Sequence, residues 1–286
     1  MSLKQLIPLL LQWSVSLVVF CLGLRAKAGD LTYLLRRPSL LLRSLLAMLV
    51  VVPLVAVGAA AGLHLKPELE TALILLAVSP VPPILPGKEA KAGGNVSYAV
   101  GLLAWSATIA IVSAPFSVEC IARLFGVDVH VPMAVVAKII AISVLGPLVL
   151  GFAVKRMAPG FAAKAAKPLS TAGTLVLVAA IVPVLASTWR SILAAAGDYS
   201  ILAIVLFTLV SLLVGHVLGG PDADDRTVLA LSTASRHPGV ALAIAGAVGS
   251  VLPAVSASVM LAFLVASVVT GPYVKWRRRA IAPRPS

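Results

Sequence analysis

The sequence SPVPPILPG, at residues 79–87, places four prolines within seven positions at the end of an apolar segment. Proline has no amide hydrogen to donate and its ring clashes with the preceding turn, so this stretch cannot continue an α-helix. A second stretch, SRHPG at residues 235–239, interrupts a later apolar segment with a proline, a glycine, an arginine and a histidine. The two stretches predict two broken helices.

The composition of the 286-residue chain is that of a protein embedded in lipid. Hydrophobic residues make up 60% of it and charged residues 12%, whereas soluble domains have about 45–50% apolar and about 25% charged residues. Apolar segments that approach or reach the length of a membrane-spanning helix recur along the chain, and none alternates with a period of two. These segments are 6–24, 40–63, 71–84, 96–116, 133–154, 169–186, 201–218, 228–248 and 251–274.

Because lipid-exposed backbone must satisfy its hydrogen bonds internally, the segments are predicted to be helices. We therefore predict an all-α, polytopic protein of the inner or plasma membrane with about nine transmembrane helices, forming one unit over residues 1–286. The first segment imitates a signal peptide, but its apolar run is long for one, so retention as a spanning helix is favoured over cleavage.

The distribution of basic residues predicts the orientation of these helices. With the N-terminus outside and the C-terminus cytoplasmic, sixteen Lys and Arg fall in cytoplasmic loops, among them Lys164, Lys167 and the basic C-terminal tail. The external loops hold four, which are Lys4, Lys66, Arg123 and Arg190. This asymmetry satisfies the positive-inside rule, and it accounts for the net charge of +13 without a nucleic-acid partner.

The sequence contains none of the usual signatures of a membrane enzyme or of a cofactor site. We find no paired intramembrane aspartates, no His-Glu-x-x-His helix and no Gly-x-Ser-x-Gly elbow. Cys21 and Cys120 lie far apart and have no metal-ligand neighbour, which argues against a zinc site or a disulfide framework. Asp222, Asp224 and Asp225 are expected in a loop, with a spacing unlike that of a calcium loop. We predict no enzyme activity, no cofactor and no metal.

The positions of the two interruptions point to a transport site. Broken backbone at membrane depth is tolerated where it is buried in protein or lines a watery cavity. A pair of interrupted segments at corresponding positions of two halves indicates the binding site of a secondary transporter. Here one further segment follows each interrupted one, and the halves cross in opposite senses. This layout predicts an inverted repeat.

Arg236 is the sharpest candidate, because a charge at the centre of a spanning helix is a functional-site hypothesis by default. It could instead serve only to bind carbonyls freed at the break. His237 could titrate near neutral pH or only stabilise the break. Lys88, Glu89 and Lys91 could line the mouth of a cavity or end a helix in water. If Arg236 and a lysine share one cavity, the preferred ligand is an anion.

The candidate residues lie at the two breaks and immediately after the first one. The predicted substrate-binding or coupling residues are Ser79, Pro80, Pro83, Pro86, Lys88, Glu89, Lys91, Asn95, Ser232, Ser235, Arg236, His237 and Pro238. The expected partners are a small, anionic substrate, the lipid bilayer and a coupling ion that is either a proton or sodium.

Three parts of the chain are similar to one transporter family. They are FCLGLR at 20–25 with RRP at 36–38, the Ser79-Pro80 break with GNV at 94–96, and the segment 232–243. Through them the chain resembles the bile acid:sodium symporter family over nearly its whole length. The resemblance implies a six-helix core at about 38–116 and 198–274 and a panel at about 5–24, 131–154 and 169–189. Substrate would bind between core and panel, which move for alternating access, and the first panel helix of ten-helix members would be absent.

The sodium motifs of that family are not matched. Where the family shows Gly-Gly-Thr-Ala-Ser-Asn, residues 81–86 read VPPILP, and where it shows a glutamate, a glutamine and an asparagine, this chain has Ser232, Arg236 and His237. Sodium, as a hard cation, needs oxygen ligands. We predict a sodium-independent carrier in which Arg236 replaces the ion, coupled to protons through His237 or Glu89, or a uniporter. The alternatives are a sodium symporter that uses backbone carbonyls and a non-transporting sensor or scaffold.

Overall fold

A computed structural model describes residues 3–27, 29–197, 199–248 and 253–281, and these residues form helices and connections without a strand. Most helices begin at or just before a proline, which lacks the amide hydrogen that a first turn leaves unpaired. The helices are α1 Leu3–Arg25, α2 Pro38–Gly62, α3 Pro67–Val78, α4 Leu85–Lys91, α5 Val96–Leu124, α6 Met133–Met157, α7 Pro159–Ala195, α8 Ser200–Leu218, α9 Ala223–Ala234, α10 Pro238–Ala247 and α11 Pro253–Ile281.

Six helices of the described part are long and apolar enough to cross a membrane, which makes the chain a polytopic helical membrane protein. They are α2, α5, α6, α7, α8 and α11. In α1 the stretch Leu9–Arg25 is apolar but shorter. The two predicted broken helices are confirmed: α3 ends at Val78 and α4 begins at Leu85 after six intervening residues, while α9 ends at Ala234 and α10 begins at Pro238. The count of nine spans and the inverted repeat stay predictions.

Three helices extend well beyond the segments that the sequence predicts, and one of them, α5, ends at Leu124 rather than near 116. Helix α7 begins at Pro159 rather than near 169, so Lys164 and Lys167 lie in its first turns and not in a loop. Helix α11 continues past residue 274 through Lys275 and Arg279 to Ile281, whereas Arg284 of the basic tail lies outside the described residues. The reason is helix propensity, since alanine, lysine and arginine are strong helix formers outside the membrane as well as inside it.

Helices α2 and α6 each contain one widened, π-helical turn in the middle of the membrane-spanning stretch. The turn in α2 covers Leu46–Val51 and is followed by Pro53, and the turn in α6 covers Ala141–Leu145 and is followed by Pro147. A π turn leaves space for the carbonyl groups that precede a proline. Such turns are frequent at functional sites. The α2 turn supplies a carbonyl to the site described below.

Helices α1, α6 and α7 pack against one another. The contact of α1 with α6 is backbone on backbone: a Cβ atom on Gly23 would meet the carbonyl oxygen of Leu148, and one on Gly151 would meet the carbonyl oxygen of Phe20. Small residues of this kind allow membrane helices to approach closely.

The broken helices lie in the other group of helices. Helix α3 packs against α2 and α11, α9 packs against α8 and α4, and α10 contacts both α3 and α6. Buried side chains of this group, among them Leu73, Leu103 and Leu229, belong to one large apolar cluster that also takes in residues of α6 and α7, such as Ile140 and Ile192. The two breaks therefore meet inside the protein and not at its lipid-facing surface.

Candidate functional site

The two breaks are joined by hydrogen bonds. The backbone amide of His237 donates to the carbonyl oxygen of Pro80 at 3.0 Å. The Arg236 guanidinium donates from Nη1 to the carbonyl oxygen of Ser79 at 3.0 Å and from Nη2 to that of Met48 at 2.9 Å. Met48 lies in the π turn of α2. One arginine thus connects the second break to the first break and to a third irregular segment.

Arg236 is almost completely buried, with 5% of its surface exposed. Its Nε atom has no hydrogen-bond partner among the described residues. The contacts to Ser79 and Met48 are made to carbonyl oxygens and not to a carboxylate, so the guanidinium charge is solvated by peptide dipoles. Arg236 therefore binds carbonyl oxygens at two irregular segments, as expected if its role is structural.

The prolines of the first break have different positions in the structure. Pro80 and Pro83 are buried in the irregular segment, whereas Pro86 lies in the first turn of α4 and so begins a helix. The Ser79 hydroxyl donates back to the Leu75 carbonyl oxygen at 2.7 Å. In the break itself, Val81 donates its amide to Ser106 Oγ at 3.4 Å. Side-chain oxygens therefore contribute little to this segment, and its carbonyls are its main polar groups.

Glu89 and Ser232 form a second connection between the crossing helices. Ser232 Oγ on α9 donates to Glu89 Oε1 on α4 at 2.7 Å, and both residues are fully buried. The three charged residues predicted after the first break, Lys88, Glu89 and Lys91, have different surroundings. Lys88 Nζ donates to Thr270 Oγ1 of α11 at 2.6 Å. Lys91 is exposed at the end of α4, which agrees with the alternative that it ends a helix in water.

His237 begins the second half of the second crossing helix. Its Nδ1 atom accepts from the Val240 amide at 3.4 Å and so caps α10, whose first residue is Pro238. An Nδ1 that accepts a hydrogen bond carries no proton, which places the ring proton on Nε2. Nε2 is buried and has no partner among the described residues. Ser235 lies in the break, where its amide donates to the Leu231 carbonyl oxygen.

Asn95 belongs to a polar cluster between the loop 29–37, the start of α5 and the start of α9. It caps α5 by accepting from the Tyr98 amide, and its Nδ2 donates to Tyr33 Oη at 2.7 Å. Tyr33 donates to Asp225, and Arg37 pairs with Asp225 at 3.1 Å and stacks on the Tyr33 ring. Burial, together with the neighbouring carboxyl of Asp225, raises the pKa of Tyr33 to about 12.

Several residues of these contacts were not predicted from the sequence. Asp224 and Asp225 form the first turn of α9 and not a loop, and Asp225 is buried. Acidic residues just before an apolar run are typical of a helix N-terminus, and that signal could have found them. Met48 carries no comparable signal, because its contribution is a backbone carbonyl. Thr270 could be found only as a polar residue within an apolar segment.

A small cavity lies beside the second break, between α3, α8, α9 and α11. It measures about 30 Å³, enough for one or two water molecules. Arg236 and Ser235 line it together with apolar residues such as Phe207, and no lysine is among the described residues that line it. A larger opening of about 310 Å³ lies between α7 and the helices α3, α8 and α11, where Lys66 and Ser258 face it.

Comparison of the sequence with known proteins identifies one family and one bacterial relative. Residues 13–196 match the model of the Sodium Bile acid symporter family. This range contains the first break and ends before the second. A protein of Bacillus subtilis (strain 168), named as an uncharacterized sodium-dependent transporter, YocS, is 27% identical over 250 residues, which are 86% of this chain and 76% of the relative.

Proposed function

We propose that this chain, which belongs to the sodium bile acid symporter family, is a membrane transporter that moves a small organic anion. Unlike the transport that the family name describes, its transport is proposed to be independent of sodium. In this proposal α1, α6 and α7 are the panel, the remaining helices are the core, and relative movement of the two gives alternating access. The packing of α1, α6 and α7 against one another supports that division. The proposal also puts the N-terminus outside and the C-terminus in the cytoplasm, as the positive-inside rule predicts.

The observation that carries the proposal is the position of the Arg236 guanidinium. Carbonyl oxygens at a helix break are suitable ligands for a hard cation such as sodium. Here the carbonyl oxygens of Ser79 and Met48 accept from the guanidinium instead. In this proposal the guanidinium charge replaces a bound sodium ion. A cation near it would be repelled strongly, because water screens charges poorly in the protein interior.

An anionic substrate is supported by the same residue. The Arg236 contacts are made to neutral oxygens, so its charge is not cancelled by a carboxylate, and its buried Nε has no partner among the described residues. The N-terminus of α10 lies directly after it and adds a positive dipole end. The opening between α7 and the helices α3, α8 and α11 is the proposed entry to the space between panel and core.

Uptake into proteoliposomes tests the proposal. Radiolabelled pyruvate and succinate, as a monocarboxylate and a dicarboxylate, would be offered with an inward sodium gradient or an equal choline gradient. We expect equal uptake in the two gradients and loss of uptake in Arg236→Ala. Arg190→Ala, which changes an exposed arginine on α7, is the matched control and is expected to keep uptake. Uptake that requires sodium would overturn the proposal.

A second candidate function is sodium symport with backbone carbonyls as ligands. The Bacillus subtilis relative is named as an uncharacterized sodium-dependent transporter, which favours this candidate. Sodium that binds only the folded state would raise the melting temperature of the purified protein above its value in the same concentration of choline chloride. We expect no such difference for this chain, and a sodium-specific rise would favour the second candidate.

The proposed orientation has its own test. A membrane-impermeant maleimide would be applied to intact cells that carry single cysteines in a Cys21→Ala, Cys120→Ser background. Asp128→Cys lies in the exposed connection between α5 and α6, and Arg36→Cys lies in the exposed connection between α1 and α2. We expect labelling of the first and not of the second. The reverse pattern would invert the orientation.

A further inference from the structure

The most unusual buried side chain outside the Arg236 contacts is Glu89. It is fully buried on α4, and among the described residues its carboxyl accepts one hydrogen bond, from Ser232 Oγ to Oε1 at 2.7 Å. The other oxygen, Oε2, is buried without a partner among the described residues. The neighbouring Lys88 donates its Nζ to Thr270 rather than to this carboxyl.

The charged and titratable groups around Glu89 are already engaged elsewhere. The helices packed against α4 are α5, α9 and α11. Tyr98 on α5 bonds to Ser44, Asp225 on α9 is held by Tyr33 and Arg37, and Arg277 on α11 donates to Thr227. None of them supplies a second donor to the carboxyl.

One hydroxyl donor cannot compensate an ionised carboxylate in this position. Transfer of an unpaired charge from water into a low-dielectric interior is far more costly than burial of a neutral polar group. A protonated carboxyl leaves one O–H group unpaired, whereas an ionised carboxyl leaves a charge almost unsolvated. The neutral form is therefore the one that fits the contacts of Glu89.

His237 is the rival site for a proton, and its geometry argues against it. Its Nδ1 must stay unprotonated to accept from the Val240 amide at the start of α10. Protonation would remove that cap and place a second positive charge next to the guanidinium of Arg236. Glu89 has no corresponding obstacle, because Ser232 donates to the carbonyl oxygen of a protonated carboxyl as well as to a carboxylate.

We propose that Glu89 is the proton-binding site of the carrier. It holds a proton while it is buried against Ser232, and releases it when the movement of the core against the panel admits water. On release, the O–H bond breaks, the electron pair stays on the carboxylate, and a water molecule on the open side takes the proton. This inference rests on the proposed sodium-independent transport and names its coupling ion.

Infrared spectroscopy of the full chain in lipid tests the inference without a substrate. We expect a carbonyl stretching band of a protonated carboxyl group at neutral pH, absent from Glu89→Gln and retained in Glu70→Gln. Glutamine keeps an oxygen for Ser232, and Glu70 is a partly exposed acid in the first turn of α3. A wild-type spectrum without the band, or a band that persists in Glu89→Gln, would overturn the inference.

A second variant tests the assignment of the carboxyl band to Glu89 if Glu89→Gln does not fold. Ser232→Ala removes the hydroxyl that donates to Oε1. We expect the carboxyl band to remain and to move to a higher frequency, because a carbonyl that loses a hydrogen bond vibrates at a higher frequency. An unchanged band would show that the protonated carboxyl is not Glu89.

The two proposals fail in different ways. A missing carboxyl band together with equal uptake in sodium and choline would make the protein a uniporter, so the inference would fail and the proposed function would stand. A carboxyl band together with uptake that requires sodium would overturn the proposed function and leave Glu89 as a protonated, structural carboxyl.

Discussion

The two breaks are complementary in their hydrogen-bonding chemistry. The first, between Val78 and Leu85, is rich in proline and therefore poor in amide donors, and it presents the carbonyl oxygens of Ser79 and Pro80. The second, between Ala234 and Pro238, supplies the donors, which are the Arg236 guanidinium and the His237 amide. Buried backbone groups need partners. Each break thus stabilises the other, and neither is complete by itself.

Removal of the arginine should have the largest effect. Arg236→Ala leaves the carbonyl oxygens of Ser79 and Met48 unpaired in a buried position. We expect a loss of about 3 kcal/mol in unfolding free energy, since a hydrogen bond to a charged group contributes about 1.5–3 kcal/mol. Reversible unfolding in mixed micelles measures it, with exposed Arg190→Ala as the control. Equal stability of the two variants would refute the complementarity of the breaks.

Removal of the Ser232 hydroxyl should have the next largest effect on the unfolding free energy, because this group connects α9 to α4 outside the two breaks. Ser232→Ala deprives the buried Glu89 of its donor. We expect a loss of about 1–2 kcal/mol, the cost of a buried polar group left unpaired. The same unfolding assay applies, and exposed Ser187→Ala should be close to wild type. A neutral Ser232→Ala would mean that only the breaks connect the crossing helices.

Removal of the His237 side chain should lower the unfolding free energy, because this side chain caps the N-terminus of α10. His237→Ala removes the acceptor for the Val240 amide, and we expect a loss of about 1 kcal/mol, the usual cost of an N-cap. His237→Asn should restore most of it, because asparagine is a strong N-cap residue. Comparison of the two variants in the unfolding assay separates capping from any other role. Similar destabilisation by both would assign the effect to the imidazole ring itself.

A single proline of the first break should have the smallest effect. Pro83→Ala adds an amide donor and backbone freedom to a segment in which Pro80 and Pro82 remain. We expect a change of less than about 1 kcal/mol, mainly through the greater entropy of the unfolded chain. A much larger loss would show that the first break depends on each of its prolines and not on their combined effect.

The sequence was most informative where a local rule operates. Proline chemistry and the apolar segments predicted both broken helices, and both are present. The limits of α7 and α11 were predicted less well, because a hydropathy pattern stops at the membrane surface while alanine, lysine and arginine continue a helix into water. Asp225 was expected in a loop for the same reason: its helix begins outside the apolar segment.

By itself, the sequence determined that the chain is a helical membrane protein with two interrupted helices and an arginine at one interruption. Composition and proline geometry are local properties, so no partner residue is needed to read them. Only the tertiary structure decided what the arginine and the buried glutamate contact. Arg236 reaches Ser79 and Met48 across 157 and 188 positions of the chain, and Glu89 meets Ser232 across 143. Such partners are chosen by helix packing, and two of them are backbone carbonyls that every residue possesses.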